Sequence, residues 1–318
     1  ELDPDGAVSI GIKIGRRSLD LLVLSFNRRI LSRLSYTYDY PDSETVFRLI
    51  GDAVSTLTAG LSARQRSRLV GIGIAAPTGI DGWEGVIGAP KGALARWKNI
   101  DILKECEKVT GLPTTLLNDA TAACLAEIEI GQSNRFQSML YFYVGTFVGG
   151  GLVLDGKLVE GRTGNAGAVG SLPLHLTGNS SGAPAQLIEA ASLHQLENLS
   201  RDADIEVRAF TEEATLKPKE QACFDRWSDG VADALAFASA SGSSFFEPEA
   251  VVIDAGISRH LVRSLIERVS DKFTSSHLDG LPVPEIRMGE IGRDARAQGG
   301  ALVPIHANFA ADNKYLLK

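Results

Sequence analysis

The sequence predicts an α/β protein of two domains, built by duplicating one strand-rich unit. Three observations lead there. Its 318 residues are more than a single hydrophobic core usually serves. Its 33 glycines gather beside apolar runs, as they do where strands turn tightly into loops. A pattern of strand, glycine loop and hairpin in the first half also returns in the second.

Residues 8–14, 19–25 and 30–38 read as three strands, with a turn at Asn27-Arg28. Three consecutive strands form an antiparallel meander, the opening of a ribonuclease-H-like domain. Residues 43–61 are helical, with Val46, Leu49, Ile50, Val54, Leu57 and Leu61 on one face. Glu44 falls too early to complete a capping box with Ser43. The run 69–75 is a buried strand stopped by Pro77, 102–109 is helical, and 114–117 is a short strand ending at Asn118-Asp119. The break between domains falls near Asp119, and an Ala-rich helix covers 120–130. The pattern restarts with a strand at 139–144, a glycine loop, and a run at 151–154 entering the Asp155-Gly156 hairpin turn. A helix at 227–240, a buried strand at 250–253 and a helix at 259–273 complete the second domain.

The net charge is −7 and no run of Lys or Arg occurs, which excludes a domain that grips DNA directly. No signal peptide and no bilayer-length apolar stretch is present, so a cytoplasmic protein is expected. Cys106, Cys124 and Cys223 lie far apart in apolar contexts and read as buried thiols. The first residue is Glu1 rather than Met, and the expectation is that something precedes it in the gene product or that a leader was removed.

Gly145-Thr146-Phe147-Val148-Gly149-Gly150-Gly151 directly follows a strand. Such a loop can present amide N–H groups to phosphate. It can equally be a strand-to-strand turn packed under a neighbouring element. The segments GIGIAAPTGIDGWEGVIGAPKGALARWKNIDI, LLNDATAACLAE, VGTFVGGGLVLDGKLVEGRTGNAGAVGSLPL and EPEAVVIDAGIS resemble, in order and spacing, the ROK (repressor, open reading frame, kinase) family. That resemblance implies a duplicated ribonuclease-H-like, actin-like ATPase fold with two lobes and an interdomain cleft. The lobes would be residues 1–119, completed by a C-terminal helix at about 299–318, and residues 120–298. ROK proteins are sugar kinases or transcriptional regulators, the latter with a winged helix-turn-helix upstream.

A sugar kinase must bind Mg-ATP, hold a sugar and deprotonate its hydroxyl. The family's first phosphate loop reads Asp-x-Gly-Gly-Thr, and Lys13-Ile14-Gly15-Arg16-Arg17 stands there in this chain. An ammonium in place of a carboxylate repels Mg²⁺. In the second loop, with Gly145, Thr146, Gly149 and Gly150, Phe147 replaces a glycine and is expected to crowd a phosphate. The nucleotide motif Gly-Gly-Gly becomes Asp254-Ala255-Gly256, adding negative charge. The family's zinc ligands correspond to Ser171, Ser180, Gly182 and Leu187, so no metal is expected; His175 and His194 nearby read as isolated side chains.

The sugar side is better kept. By the resemblance, Asn118 and Asp119 hydrogen-bond sugar hydroxyls, with Asp119 the general base in a kinase, and Glu189 contacts the sugar. Ala168, Ser171 and Lys91 depart from the family there. Read from position alone, Asn118-Asp119 is also a helix N-cap and Glu189 a solvated helix residue. Lys13, Arg16 and Arg17 are either a cationic pocket for an anionic effector or a solvated strand end. Lys13 is expected within salt-bridge distance of Asp119 or Asp254.

Together these imply a sugar-sensing effector and oligomerisation domain of a ROK regulator with degenerate ATP and zinc sites. It would need no cofactor, form a homodimer or tetramer, and meet DNA only through an upstream domain. The alternatives are an ATP-dependent, glucokinase-like sugar kinase using Asp119 as base, and a scaffold that has lost its ligand.

Overall fold

Strand β1 (Val8–Ile14) is buried at all seven positions, as a strand covered on both faces must be. In the computed structural model, which describes residues 3–174, 185–212, 214–276 and 278–309, β1 is the middle of a five-stranded sheet. On one side it pairs antiparallel with β2 (Ser18–Ser25), which pairs antiparallel with β3 (Ile30–Thr37). This is the expected meander, and β3 is its largely exposed edge. Helix α1 (Ser43–Ala59) follows; its cap is Asp42, whose carboxylate accepts from Thr45 N at 2.9 Å. The short α2 (Ala63–Arg66) has a capping box from Ser62 and Gln65.

Strand β4 (Leu69–Ala76) lies parallel to β1 on its other side. After α3 (Glu84–Ile87) and α4 (Ile102–Thr110), β5 (Thr114–Asn118) extends the sheet parallel to β4. The strand order is β3-β2-β1-β4-β5. Helix α5 (Asp119–Glu129) leaves the end of β5.

The second sheet repeats the plan. Strand β6 (Met139–Val144) pairs antiparallel with β7 (Val148–Leu154), which pairs antiparallel with β8 (Lys157–Leu158). Helices α6 (Leu187–Ala190), α7 (Leu193–Asp202) and α8 (Pro218–Phe246) come next. Strand β9 (Ala250–Ala255) then runs parallel to β6, and after α9 (Arg259–Ser275), β10 (Glu285–Met288) runs parallel to β9. From the hairpin side its order is β8-β7-β6-β9-β10, the counterpart of the first sheet. Phe142, Phe210, Phe224, Trp227, Leu235, Val251 and Leu265 pack into its core. Helix α8 begins at Pro218, well before the expected residue 227; proline at the first helical position is already set at a helical φ.

The chain forms two compact units, residues 1–126 with 294–318, and residues 127–293. The crossing falls within α5, so the first two turns of that helix belong to the first unit instead of opening the second at 120. Helix α10 (Ala295–Phe309) returns to the first unit, starting before the expected 299; residues 310–318 lie outside those described. All three cysteines are buried. Among the described residues no helix is long and apolar enough to cross a membrane.

Helix α10 packs on β1 and β4 at backbone distance. A Cβ on Gly11 would lie 1.9 Å from Ala297 O, one on Gly73 1.8 Å from Gly300 O, and one on Gly299 1.7 Å from the carbonyl of Ala122 on α5. A backbone carbonyl cannot rotate aside as a side chain can. Gly299→Ala is therefore expected to lower stability by about 2–3 kcal/mol, read as a shifted urea midpoint. A loss under about 0.5 kcal/mol would show that the helix slides freely.

Candidate functional site

In the first unit the site grows from the β1–β2 hairpin. Gly15 N donates to Ser18 O at 2.9 Å, and the Tyr38 hydroxyl donates to Gly15 O at 2.6 Å. The lysine side chain folds back over this turn, where a Cβ on Gly15 would meet Lys13 Cε at 2.4 Å. Lys13 stands directly opposite Asp20 in the antiparallel register. Its Nζ donates to Asp20 Oδ2 at 2.9 Å and to Ser18 Oγ at 2.5 Å. The carboxylate is completed by the hydroxyls of Ser18 and Ser35. The expected partner of Lys13, Asp119 or Asp254, is thus corrected to Asp20: cross-strand neighbours pair before distant groups can.

Lys13 is 5% exposed. Burial, reinforced by the nearby charge of Arg296, lowers its pKa to about 8, against the pull of Asp20 and Asp119. Burial would raise Asp20, but Lys13 and the two hydroxyl donors hold it below the usual carboxylate range.

Asn118 and Asp119 end β5 and open α5. Asn118 Oδ1 accepts from Ala120 N at 3.0 Å and Thr121 N at 3.3 Å, while its Nδ2 donates to Thr78 Oγ1 at 3.3 Å. The N-cap is therefore Asn118. Asp119 Oδ1 also accepts from Ala120 N, at 3.0 Å, and Asp119 Oδ2 lies 3.8 Å from Arg296 Nη1. Arg16 sets its guanidinium 4.5 Å from the centre of the Trp83 ring. Burial lowers its pKa to about 10, with Asp119 opposing and Arg296 adding to the shift. Arg17 instead donates to the carbonyl of Asp39.

Lys13, Arg16, Arg296 and Asp119, with Asp20 against Lys13 and Trp83 against Arg16, thus form one cluster, of which Asp20, Arg296 and Trp83 are not singled out by the sequence. Only the Lys13–Asp20 pair had a signal, the hairpin register. Magnesium held by protein carboxylates does not fit this cluster, where cations outnumber them. Among the described residues no group of three His, Cys, Asp or Glu could hold a metal ion. Zinc fits no better at the family's ligand positions: Leu187 is a fully buried core residue and Ser171 offers an exposed hydroxyl. Ser180, Gly182 and His175 lie outside the described residues.

In the second unit, β6 and β9 run parallel and end side by side, which brings the Gly145 turn next to Asp254-Ala255-Gly256. Gly256 N donates to Val144 O at 3.0 Å. Gly145 to Phe147 is a tight turn, and the first amides of α7 cap it: Leu193 N donates to Gly145 O at 2.9 Å and His194 N to Thr146 O at 3.1 Å. The Phe147 ring sits 5.8 Å from that of His194. Gly149 and Gly150 are ladder residues of β7, opposite Tyr143 and Phe142. A Cβ on Gly150 would come within 2.5 Å of Tyr141 O, so this glycine serves close packing.

Asp254 is fully buried and accepts from Arg259 Nη1 at 2.7 Å, Gly292 N at 2.7 Å and Ala255 N at 2.8 Å. Burial raises its pKa, and Arg259 opposes the rise. Its charge is consumed in an internal pair, not aimed at an anionic ligand. Glu127, also fully buried, accepts from Ser133 Oγ at 3.0 Å and Glu290 N at 2.9 Å. Glu189 is exposed on α6, and Ala168, Ser171 and Lys91 are exposed as well.

The family model of the ROK family matches residues 9–306. A glucokinase of Halalkalibacterium halodurans is 27% identical over 320 residues, spanning 92% of this chain and 93% of its own. The ROK hexokinase of Thermus thermophilus superposes with a TM-score of 0.67 at 25% identity, over 93% of this chain and 97% of that one. A ROK family transcriptional regulator, homolog of the E. coli MLC protein, shares the fold at 19% identity and a TM-score of 0.67, over 94% of this chain and 78% of that one. The glucokinase and the hexokinase match along nearly their whole length. They overturn the reading as a regulator's effector domain and favour the sugar kinase.

Proposed function

The chain belongs to the ROK family, and from that premise we propose that it is an ATP-dependent sugar kinase acting on a hexose. The observation that carries the proposal is the division of labour at the start of α5. Asn118 caps the helix, while the second carboxylate oxygen of Asp119 faces Arg296 and not the helix end. A carboxylate so placed can accept a proton from a sugar hydroxyl. The oxygen then attacks the γ-phosphorus of ATP, the bond from that phosphorus to the β–γ bridging oxygen breaks, and ADP leaves. The proton on Asp119 passes to solvent. Asn118 would hydrogen-bond the sugar. Each of the three departures from the family's phosphate motifs has a local partner: Asp20 for Lys13, His194 for Phe147 and Arg259 for Asp254.

A coupled assay following ADP release, with ATP and a panel of hexoses and amino sugars, is expected to show turnover above the sugar-free background. Absence of turnover across the panel, with folded protein, would overturn the kinase reading.

A further inference from the structure

Asp119 opens α5, and Arg296 lies in the first turn of α10. The two helices meet backbone to backbone, with no room for a Cβ on Gly299 beside the carbonyl of Ala122. Asp119 lies three residues ahead of Ala122, and Arg296 three ahead of Gly299. Residues three apart share a helix face, so the crossing carries both side chains to one place. The sheet fixes α10 as well, since a Cβ on Gly11 would lie 1.9 Å from Ala297 O and one on Gly73 1.8 Å from Gly300 O. Arg296 therefore starts from a backbone position held by α5, β1 and β4. Among the described residues the Asp119 carboxylate has one hydrogen bond, Oδ1 accepting from Ala120 N at 3.0 Å, and one ion pair, Oδ2 with Arg296 Nη1 at 3.8 Å. The Arg296 and Asp119 side chains are 16% and 17% exposed, so water and salt screen their attraction little.

We propose that Arg296 is a positioning residue for the reaction, turning the Asp119 carboxylate so that Oδ2 is presented to the sugar hydroxyl. The proton-acceptor role of Asp119 rests on the kinase reading; the pairing rests on the crossing of α5 and α10. A single hydrogen bond leaves a carboxylate free to turn about its bond to Cβ, where the torsional wells are broad. The charge of Arg296 selects one orientation from that range. At 3.8 Å the guanidinium attracts Oδ2 from beyond hydrogen-bond distance, so the lone pairs of that oxygen stay available for a proton. A bidentate pair would orient the group too, but it would occupy both oxygens. The other two cations nearby are engaged elsewhere: Lys13 is tied to Asp20 and Ser18, and Arg16 lies over Trp83. Arg296 thus acts on the reaction through Asp119 and the placing of its proton-accepting oxygen.

The test is steady-state kinetics of the whole chain and of Arg296→Gln, Arg296→Lys, Asp119→Asn and the double variant Asp119→Asn/Arg296→Gln, on a hexose that the wild type phosphorylates. Arg296→Gln is expected to lower kcat by about tenfold or more, as misplacing a reacting group does, with the sugar and ATP KM within about threefold of wild type. Arg296→Lys, which keeps the charge, should recover part of the loss. In the Asp119→Asn background, Arg296→Gln should change kcat by less than about twofold, because no base is left to position. A merely structural role would give the same loss in both backgrounds. Circular dichroism reports whether each variant folds; should Arg296→Gln fail, Arg296→Met, which keeps an apolar stem, takes its place under the same expectations. A kcat within about twofold of wild type, equal losses in the two backgrounds, or a loss carried by KM alone would overturn the proposal and leave the kinase reading in place. No turnover by the wild type on any hexose would remove the kinase reading and this inference with it.

Discussion

Asp119→Asn is expected to lower kcat by about 10²–10⁴-fold, the usual contribution of a positioned general base, while leaving the sugar KM and the thermal midpoint nearly unchanged. The amide keeps the size of the carboxylate and an oxygen for the 3.0 Å contact with Ala120 N. What it loses is the ability to take a proton, and an attraction to Arg296 that at 3.8 Å is longer than a hydrogen bond. The neighbouring residue should behave in the opposite way. Asn118→Ala removes the acceptor for Ala120 N and Thr121 N and should destabilise the protein by about 1 kcal/mol. Steady-state kinetics and thermal melting of the two variants separate chemistry from capping. An Asp119→Asn protein with kcat within about tenfold of the wild type would show that the base lies elsewhere.

Much of the architecture was legible because it follows from periodicity. The meander, the buried strands at Leu69–Ala76 and Ala250–Ala255 and the repeat of the plan all leave local patterns. The apolar periodicity of α8 starts late because its first turns carry Lys219, Glu220, Asp225 and Arg226, which interrupt the apolar face. The site was less legible, for a different reason. Comparing each position with a motif treats every departure as a separate loss. Lys13, Phe147 and Asp254 looked like three such losses, yet each has a partner that fits it. Asp20 could have been found, since hairpin register places it opposite Lys13. Arg296 lies 177 positions beyond Asp119 in the chain and meets it only once α10 returns to β1 and β4. Which way Phe147 turns depends on the first turn of α7, which no periodicity in the glycine loop encodes.

The pairing of Asp254 with Arg259 carries the largest expected effect on stability. Asp254 is fully buried and Arg259 about one-third exposed, so loss of the arginine leaves an ionised carboxylate with nowhere to go. Two backbone amides, Ala255 N and Gly292 N, would remain to it. The buried carboxyl of Glu127 adds repulsion. Arg259→Leu should therefore cost about 3–5 kcal/mol near neutral pH, as breaking a buried pair from one side does. It also removes the donor to Gly289 O, loosening the loop that follows β10. The dependence on pH has a definite sign. The Asp254 pKa already lies above its ordinary value through burial, and Arg259 is the first of the groups that oppose this. A carboxyl raised on folding contributes stability in its protonated form, below its unfolded pKa, and that contribution is lost as pH rises through the folded pKa. Removing Arg259 raises the folded pKa further, so the deficit should be largest at neutral pH and shrink as pH falls towards about 5. Asp254→Asn in the same chain should restore part of the loss and flatten the pH profile, because no buried charge then remains unpaired. Urea unfolding of wild type, Arg259→Leu and the double variant at several pH values measures all of this. A single variant within about 0.5 kcal/mol of wild type throughout would mean that the two backbone amides suffice to hold Asp254 ionised.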